Sequence, residues 1–243
     1  MRPFFTFLLN SAIIFTIMEN KKSITASAAA NPSTVSIAKE TKPPIIKLLI
    51  FDMGKVFVHF DWGRTYEAFV KVTKRDLETV KTVFSAVYFP YERGHITTQD
   101  VIDHINKELE ASLDHVEFSN LWTSTLDEDK EMTDLLQTLR KTQLPMYLLS
   151  NINEVSYGYL QEKFNVAQHF DELVLSYKVG HIKPAVEIYH EVLNRSNMSA
   201  ENCLFIDDVE ENIEAAKSVG INCIHFKGIE DLKIKLAHFG IPV

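Results

Sequence analysis

The stretch IIKLLIFDMGKVFVHFDW, residues 45–62, decides the fold. An apolar run broken only by Lys47 leads into Asp52, and Gly54 follows at once. A short continuous apolar run bounded by a turn signal is the pattern of a strand buried on both faces of a parallel sheet. Asp52 then stands at the C-terminal end of that strand. In open α/β sheets ligands bind in the crevice beyond the strand ends, so an acid delivered there is in place for chemistry. A strand-ending Asp taken alone is more often a turn residue. Three later stretches answer to it: PMYLLSN, ending at Ser150 and Asn151; HIKPAVEIYH, with Lys183 in a loop before a helix; and CLFIDDVEENI, with Asp207 and Asp208 closing a strand.

From Asp127 onward strand and helix patterns alternate. Helical spacing over Glu131 to Lys141 is followed by a strand from Pro145 to Leu149 and an amphipathic helix from Glu154 to Phe164. A short strand is expected at Leu173 to Ser176, a helix over Ala185 to Leu193, a strand at Cys203 to Ile206, a helix from Val209 to Val219 closed by Gly220, and a strand from Asn222 to Phe226. Alternation with short connections implies an α/β fold, a doubly wound parallel sheet with a Rossmann-like core. Residues 62–126 differ. Apolar positions recur there at helical spacing in TYEAFVKV, LETVKTVFSAVY, TTQDVIDHINKEL and HVEFSNLW, with Thr97 or Thr98 able to cap the third helix. The domain plan is therefore a core of residues 45–61 and 127–243 with a helical cap, 62–126, inserted after the first strand, where a lid would cover the crevice. Within it Tyr91-Glu92-Arg93-Gly94 reads as a polar turn between helices. Arg93 is its residue for an anionic substrate.

With 243 residues, 46% hydrophobic and 24% charged, the chain has the composition of an ordinary globular protein. Its net charge of −8 argues against wrapping a nucleic acid backbone, which needs a basic surface. Cys203 and Cys223 each open an apolar core-like run, so neither a disulfide framework nor a zinc cluster is expected. Residues 1–44 read as an apolar N-terminal segment followed by a flexible linker rich in Ser, Ala, Lys and Pro. The apolar part, Phe4 to Met18, and the Ala26-Ser27-Ala28 pattern leave open a secretory signal, a membrane anchor, or an upstream start with Met18 as the alternative. The expectation is a cytoplasmic protein, with membrane contact only if that segment is retained. Nothing in the sequence sets the oligomeric state.

Converging carboxylates repel, so Asp52, Asp207 and Asp208 require a cation, and hard oxygen ligands without His or Cys point to Mg²⁺. Mg²⁺ in turn suggests a phosphate. Ser150 and Asn151 can donate hydrogen bonds to phosphoryl oxygens, and Lys183 supplies the positive charge those oxygens need during transfer. Asp52, kept ionised by Mg²⁺ and Lys183, can act as a nucleophile and form an aspartyl-phosphate.

At these residues the chain resembles the haloacid dehalogenase-like hydrolases. FDMGKVFV is similar to the family's first motif, LLSN to the second, the KP of HIKPAVEIY to the third and FIDDVEENI to the fourth. The likeness runs from about Ile45 to the C-terminus, and the helical insert resembles the family's cap of the first type. It is most similar to bacterial sugar-phosphate phosphatases of the glucose-1-phosphatase kind and to the phosphatase domain of soluble epoxide hydrolases, which carry a similar YERG turn. The resemblance implies Asp52 as nucleophile, Ser150, Asn151 and Lys183 as phosphate ligands, Asp208 as a direct metal ligand, Asp207 as a helper through water, and the Gly54 carbonyl as a backbone ligand.

One position departs from the family's common first motif. A second Asp two residues after the nucleophile ordinarily protonates the leaving group and then activates water, and Gly54 stands there instead. Loss of a general acid or base typically costs roughly 10²- to 10⁴-fold in rate. His59, Asp61 and Glu92 are the candidate replacements by sequence proximity or cap position. The leading expectation is a Mg²⁺-dependent phosphatase for a small phosphomonoester, such as a hexose 1-phosphate. The alternatives are a 2-haloacid dehalogenase-type hydrolase, for which Lys55 is a poor substitute for a bidentate Arg, and a non-catalytic phosphate-binding module.

Overall fold

The computed structural model describes residues 44–243. The expectations for the apolar N-terminal stretch and its linker fall outside these residues. Among them no helix is long and apolar enough to cross a membrane.

Five strands form one parallel sheet: β1 (Leu48–Phe51), β4 (Met146–Ser150), β5 (Glu172–Leu175), β6 (Cys203–Asp207) and β7 (Asn222–His225). Their spatial order is β5-β4-β1-β6-β7, so the first strand of the chain lies in the middle. Successive side chains of a strand point to opposite faces, and β1 uses both. Leu49 and Phe51 enter one apolar cluster with Met132, Leu136, Leu160 and Leu232. Leu48 and Ile50 enter the other, with Ile188, Val192, Ile213 and Ala216. One face of the sheet is thus covered by α5 (Lys130–Arg140), α6 (Glu154–Phe164) and α10 (Ile229–His238), and the other by α8 (Val186–Ser196) and α9 (Glu210–Ser218). This is the doubly wound sheet expected from the alternation. All four residues of β1 are buried, because a central strand covered twice has no solvent side.

Four helices follow β1: α1 (Trp62–Thr73), α2 (Leu77–Glu92), α3 (Thr98–Leu109) and α4 (His115–Trp122). They bury an apolar cluster of their own around Phe69, Phe84, Ile105, Phe118 and Trp122. Each starts on a side-chain cap: Asp61, Asp76, Thr97 and Asp114 accept a hydrogen bond from the backbone N–H three residues on. Thr97, not Thr98, caps α3, in a reciprocal box with Asp100.

Several elements were not expected from the sequence. A two-stranded antiparallel ladder joins β2 (Val58–His59) to β3 (Asp127–Glu128) at the neck of the insert, pairing Val58 with Glu128 and His59 with Asp127. A single helical turn, α7 (Ser176–Val179), follows β5, and α10 closes the chain. The YERG segment also differs from its reading as a polar turn. Tyr91 and Glu92 are the last residues of α2 and both are buried; only Arg93 and Gly94 turn. The cause is packing: the Tyr91 ring meets Trp122 at 5.6 Å between centroids, and its hydroxyl shares a 2.9 Å hydrogen bond with Thr98.

Candidate active site

Asp52 leaves the central strand with its N–H donated to the carbonyl of Ile206, 2.9 Å away, which fixes the end of β1 against β6. The paired acids therefore arrive beside it. Lys183 reaches between them, its Nζ 2.5 Å from Asp52 Oδ1 and 2.8 Å from Asp207 Oδ2, and it is buried with both. Its own loop is held by the side chain of Asn151, whose Nδ2 donates to the Lys183 carbonyl at 2.9 Å while the Lys183 N–H donates to Asn151 Oδ1 at 2.7 Å. The Asn151 amide thus positions the lysine, and the buried Ser150 ends β4 next to it.

Asp207 is fully enclosed. Besides Lys183 it accepts from the Val209 N–H at 2.7 Å and from Asn212 Nδ2 at 3.1 and 3.0 Å on its two oxygens. Asp208 is half-buried. Asp52, Asp207 and Asp208 each offer a carboxylate oxygen, all within 4.8 Å of one another.

Burial pushes the Asp52 carboxyl up to about 7, with the Asp207 charge adding to the effect and the Lys183 charge opposing it. Burial, and then the Asp207 charge, raise Asp208 as well. For Lys183, burial alone would pull the ammonium down; the charges of Asp207 and Asp52 and its hydrogen bonds to them outweigh this and hold it above the ordinary lysine value. The lysine is therefore cationic at every physiological pH. Three acids around one buried ammonium, with the exposed Lys55 charge also acting on Asp208, still leave an excess of negative charge that a divalent cation offsets, and an all-oxygen donor set suits a hard one. The residues present fit such an ion. With its oxygens already accepting from Lys183, Val209 and Asn212, Asp207 is suited to the outer part of such a site and Asp208 to the inner.

A cavity of about 80 Å³ opens beside the strand ends, with Gly54, Ser150 and Asn151 on its floor and Trp62, Tyr88 and Glu92 contributed by the insert. Of the proposed proton carriers, only Glu92 lines it. Asp61 is engaged as the cap of α1, accepting from the Arg64 N–H at 3.1 Å. His59 is exposed and lies 3.1 Å from Asp129. Glu92 is buried, and its main chain is pinned to the core by Ser176, whose hydroxyl donates to the Glu92 carbonyl at 2.6 Å. Burial raises its carboxyl to about 7, against the opposing influence of the neighbouring Tyr88 hydroxyl and of the Lys183 charge. Arg93, the other polar residue of the segment, caps α2 and lies over the Phe89 ring, 6.0 Å from its centroid. Gly94 lies close against the core: at φ +67°, a Cβ there would meet the Tyr177 carbonyl oxygen.

The family model for haloacid dehalogenase-like hydrolases matches residues 46–220. A sesquiterpene phosphatase from Aspergillus oryzae is 30% identical over 180 residues, 74% of this chain and 89% of that protein. A D-ribitol-5-phosphate phosphatase from Bacteroides thetaiotaomicron is 29% identical over 185 residues, 72% of this chain and 89% of its own length. Among solved structures, a HAD family enzyme from Bacteroides thetaiotaomicron, crystallised with magnesium and inorganic phosphate, superposes with a TM-score of 0.69 at 28% identity, covering 75% of this chain and 94% of that one.

Proposed function

Because the chain belongs to the haloacid dehalogenase-like hydrolases, we propose that it is a Mg²⁺-dependent phosphatase of small phosphomonoesters that works through an aspartyl-phosphate on Asp52. The observation that carries this reading is the Lys183 ammonium held between Asp52 and Asp207 at the end of the central strand. The named phosphatases among its relatives, and the relative crystallised with magnesium and phosphate, support it.

Asp52, Asp208 and the Gly54 carbonyl would hold the Mg²⁺, with Asp207 acting through water. The ion would neutralise phosphoryl charge and keep Asp52 ionised. An Asp52 carboxylate oxygen attacks phosphorus while the ester oxygen departs. Ser150 and the Lys183 ammonium steady the phosphoryl oxygens. The departing oxygen takes the proton of the Glu92 carboxyl. Glu92, now ionised, removes a proton from the water that attacks the phosphorus of the phospho-aspartate, releasing inorganic phosphate and restoring Asp52. A carboxyl near pKa 7 suits both halves of that cycle. Helices α1 to α4 act as the cap that brings Glu92 to the reacting atoms and keeps other water out.

A hexose 1-phosphate fits this chemistry on leaving-group grounds alone, since an anomeric hydroxyl is more acidic than an ordinary alcohol. The walls of the cavity bear on that choice separately. The test is phosphate release from an aryl phosphate, with and without Mg²⁺, by the wild-type chain and by Asp52→Asn. Release that depends on Mg²⁺ and falls to a few per cent or less in the variant is expected; substantial release by the variant overturns the reading.

A further inference from the structure

We propose that the cavity is built for an apolar leaving group, so that the substrate is the phosphate ester of a small apolar alcohol rather than of a polyol. This rests on the phosphatase reading above and specifies the substrate class. The walls away from the strand ends are apolar: Met53, Val58 and Leu160 from the core, with Phe60, Trp62 and Leu126 at the base of the insert. Phe60 and Trp62 meet edge to face at 6.2 Å between centroids, and Trp62 meets Tyr88 at 5.3 Å, so one side of the cavity is a continuous aromatic surface.

Several of the polar groups that line the cavity are engaged inside the protein. The Asn151 amide is used at both ends by the main chain of Lys183. Asn153 Oδ1 accepts from the Ser156 N–H at 3.0 Å, and Ser156 Oγ accepts from Trp122 Nε1 at 3.1 Å. A sugar placed here would surrender water hydrogen bonds from several hydroxyls and find few partners in return, and an uncompensated buried hydroxyl is costly. Discrimination works the other way round in a site built for hydroxyls, which keeps free donors and acceptors for them. An alkyl or unsaturated chain loses nothing on entering.

The experiment compares kcat/KM, for the full chain with Mg²⁺, across straight-chain alkyl phosphates from ethyl to octyl, and against glycerol 3-phosphate and glucose 6-phosphate. All are esters of primary alcohols, so leaving-group chemistry varies little and the contacts of the leaving group dominate. Each added methylene is expected to raise kcat/KM about two- to fourfold over the first few members, levelling off once the chain outgrows the cavity. Butyl phosphate is expected to exceed glucose 6-phosphate by roughly 10-fold or more. Phe60→Ala is expected to flatten the rise with chain length. Release from all esters without a chain-length rise, a preference for the polyol esters, or an unchanged slope in Phe60→Ala overturns this inference alone. No release from any ester under any divalent cation overturns the phosphatase reading and the inference with it.

Discussion

The edge of the Phe60 ring lies where a side chain at residue 54 would begin: a Cβ on Gly54 would stand 2.9 Å from Phe60 Cε1. The absence of a carboxylate at this position and the presence of the ring are therefore one structural arrangement. Lys55 Nζ lies over the same ring, 5.6 Å from its centroid. Restoring an acid by Gly54→Asp is expected to cost about 1–3 kcal/mol of stability through overpacking and to lower phosphate release. Adding Phe60→Ala should recover much of the stability loss, because residues in contact do not contribute additively. Chemical denaturation of the two single variants and the double variant measures this coupling. Strict additivity would show that the ring moves aside freely.

Glu92 connects stability to pH. Its carboxyl is raised from 4.5 to about 7, by burial above all. The groups facing it are Tyr88 on its own helix, Lys183 and Asp52 from the core, and Arg93 beside it. Folding therefore favours the protonated form. That stabilisation is complete below the unfolded pKa and is lost as pH rises through about 7. Glu92→Gln cannot titrate, so above pH 7 the variant should be more stable than the wild type, by as much as about 3 kcal/mol. Its kcat/KM for alkyl phosphates should fall by about 10²-fold or more, and far less for a nitrophenyl ester, whose leaving group needs no proton. A purely structural role would lower both substrates equally.

Lys183→Met removes the one ammonium between two buried acids. Breaking a buried ion pair from one side typically costs about 3–5 kcal/mol, because the remaining charge has no compensation. The deficit should be large at pH 8 and shrink toward pH 5, where Asp52, whose carboxyl is raised to about 7, takes up a proton. Urea unfolding at both pH values checks the direction. An equal loss at both would mean that packing of the lysine stem, not charge, is what the variant removes.

Binding of Mg²⁺ to the acid trio should appear as stability before any turnover is measured. An ion that binds only the folded chain adds about 2.7 kcal/mol at a concentration 100 times its Kd. The Tm should therefore climb with Mg²⁺ in the wild type, and Asp208→Ala should remove most of that climb. A climb of equal size in the variant would move the ion away from the trio.

The sheet was legible because a strand buried on both faces leaves an unbroken apolar run, and LLIF, MYLLS and CLFID are such runs. Asp52, Ser150 and Asp207 followed as the residues at or just beyond the ends of those runs. The β2–β3 ladder gave no such signal, since two-residue strands are too short for any period. Helix α10 does carry one, since Ile229, Leu232 and Leu236 recur at helical spacing. A proline inside a helix removes a hydrogen bond and ordinarily marks its end, yet Pro90 lies within α2. Helix α2 continues through Pro90 because Tyr91 is anchored by Trp122 and Thr98, partners that are distant in sequence or on another helix.

The short ladder at the neck has a consequence for how such a chain can change. Val58 pairs with Glu128 and His59 with Asp127, so the insert leaves the core and returns to it at one place. Its two ends are already held together, and lengthening a closed loop is inexpensive, about 0.6 kcal/mol for each doubling. Helices can therefore be gained, lost or exchanged above that neck while β1, β4 and β6 keep their register and the acids keep their spacing. The acids and the lysine thus stay on the core, while the insert supplies Trp62, Tyr88 and Glu92 to the cavity beside them, so that part of the wall can change without disturbing the residues at the strand ends.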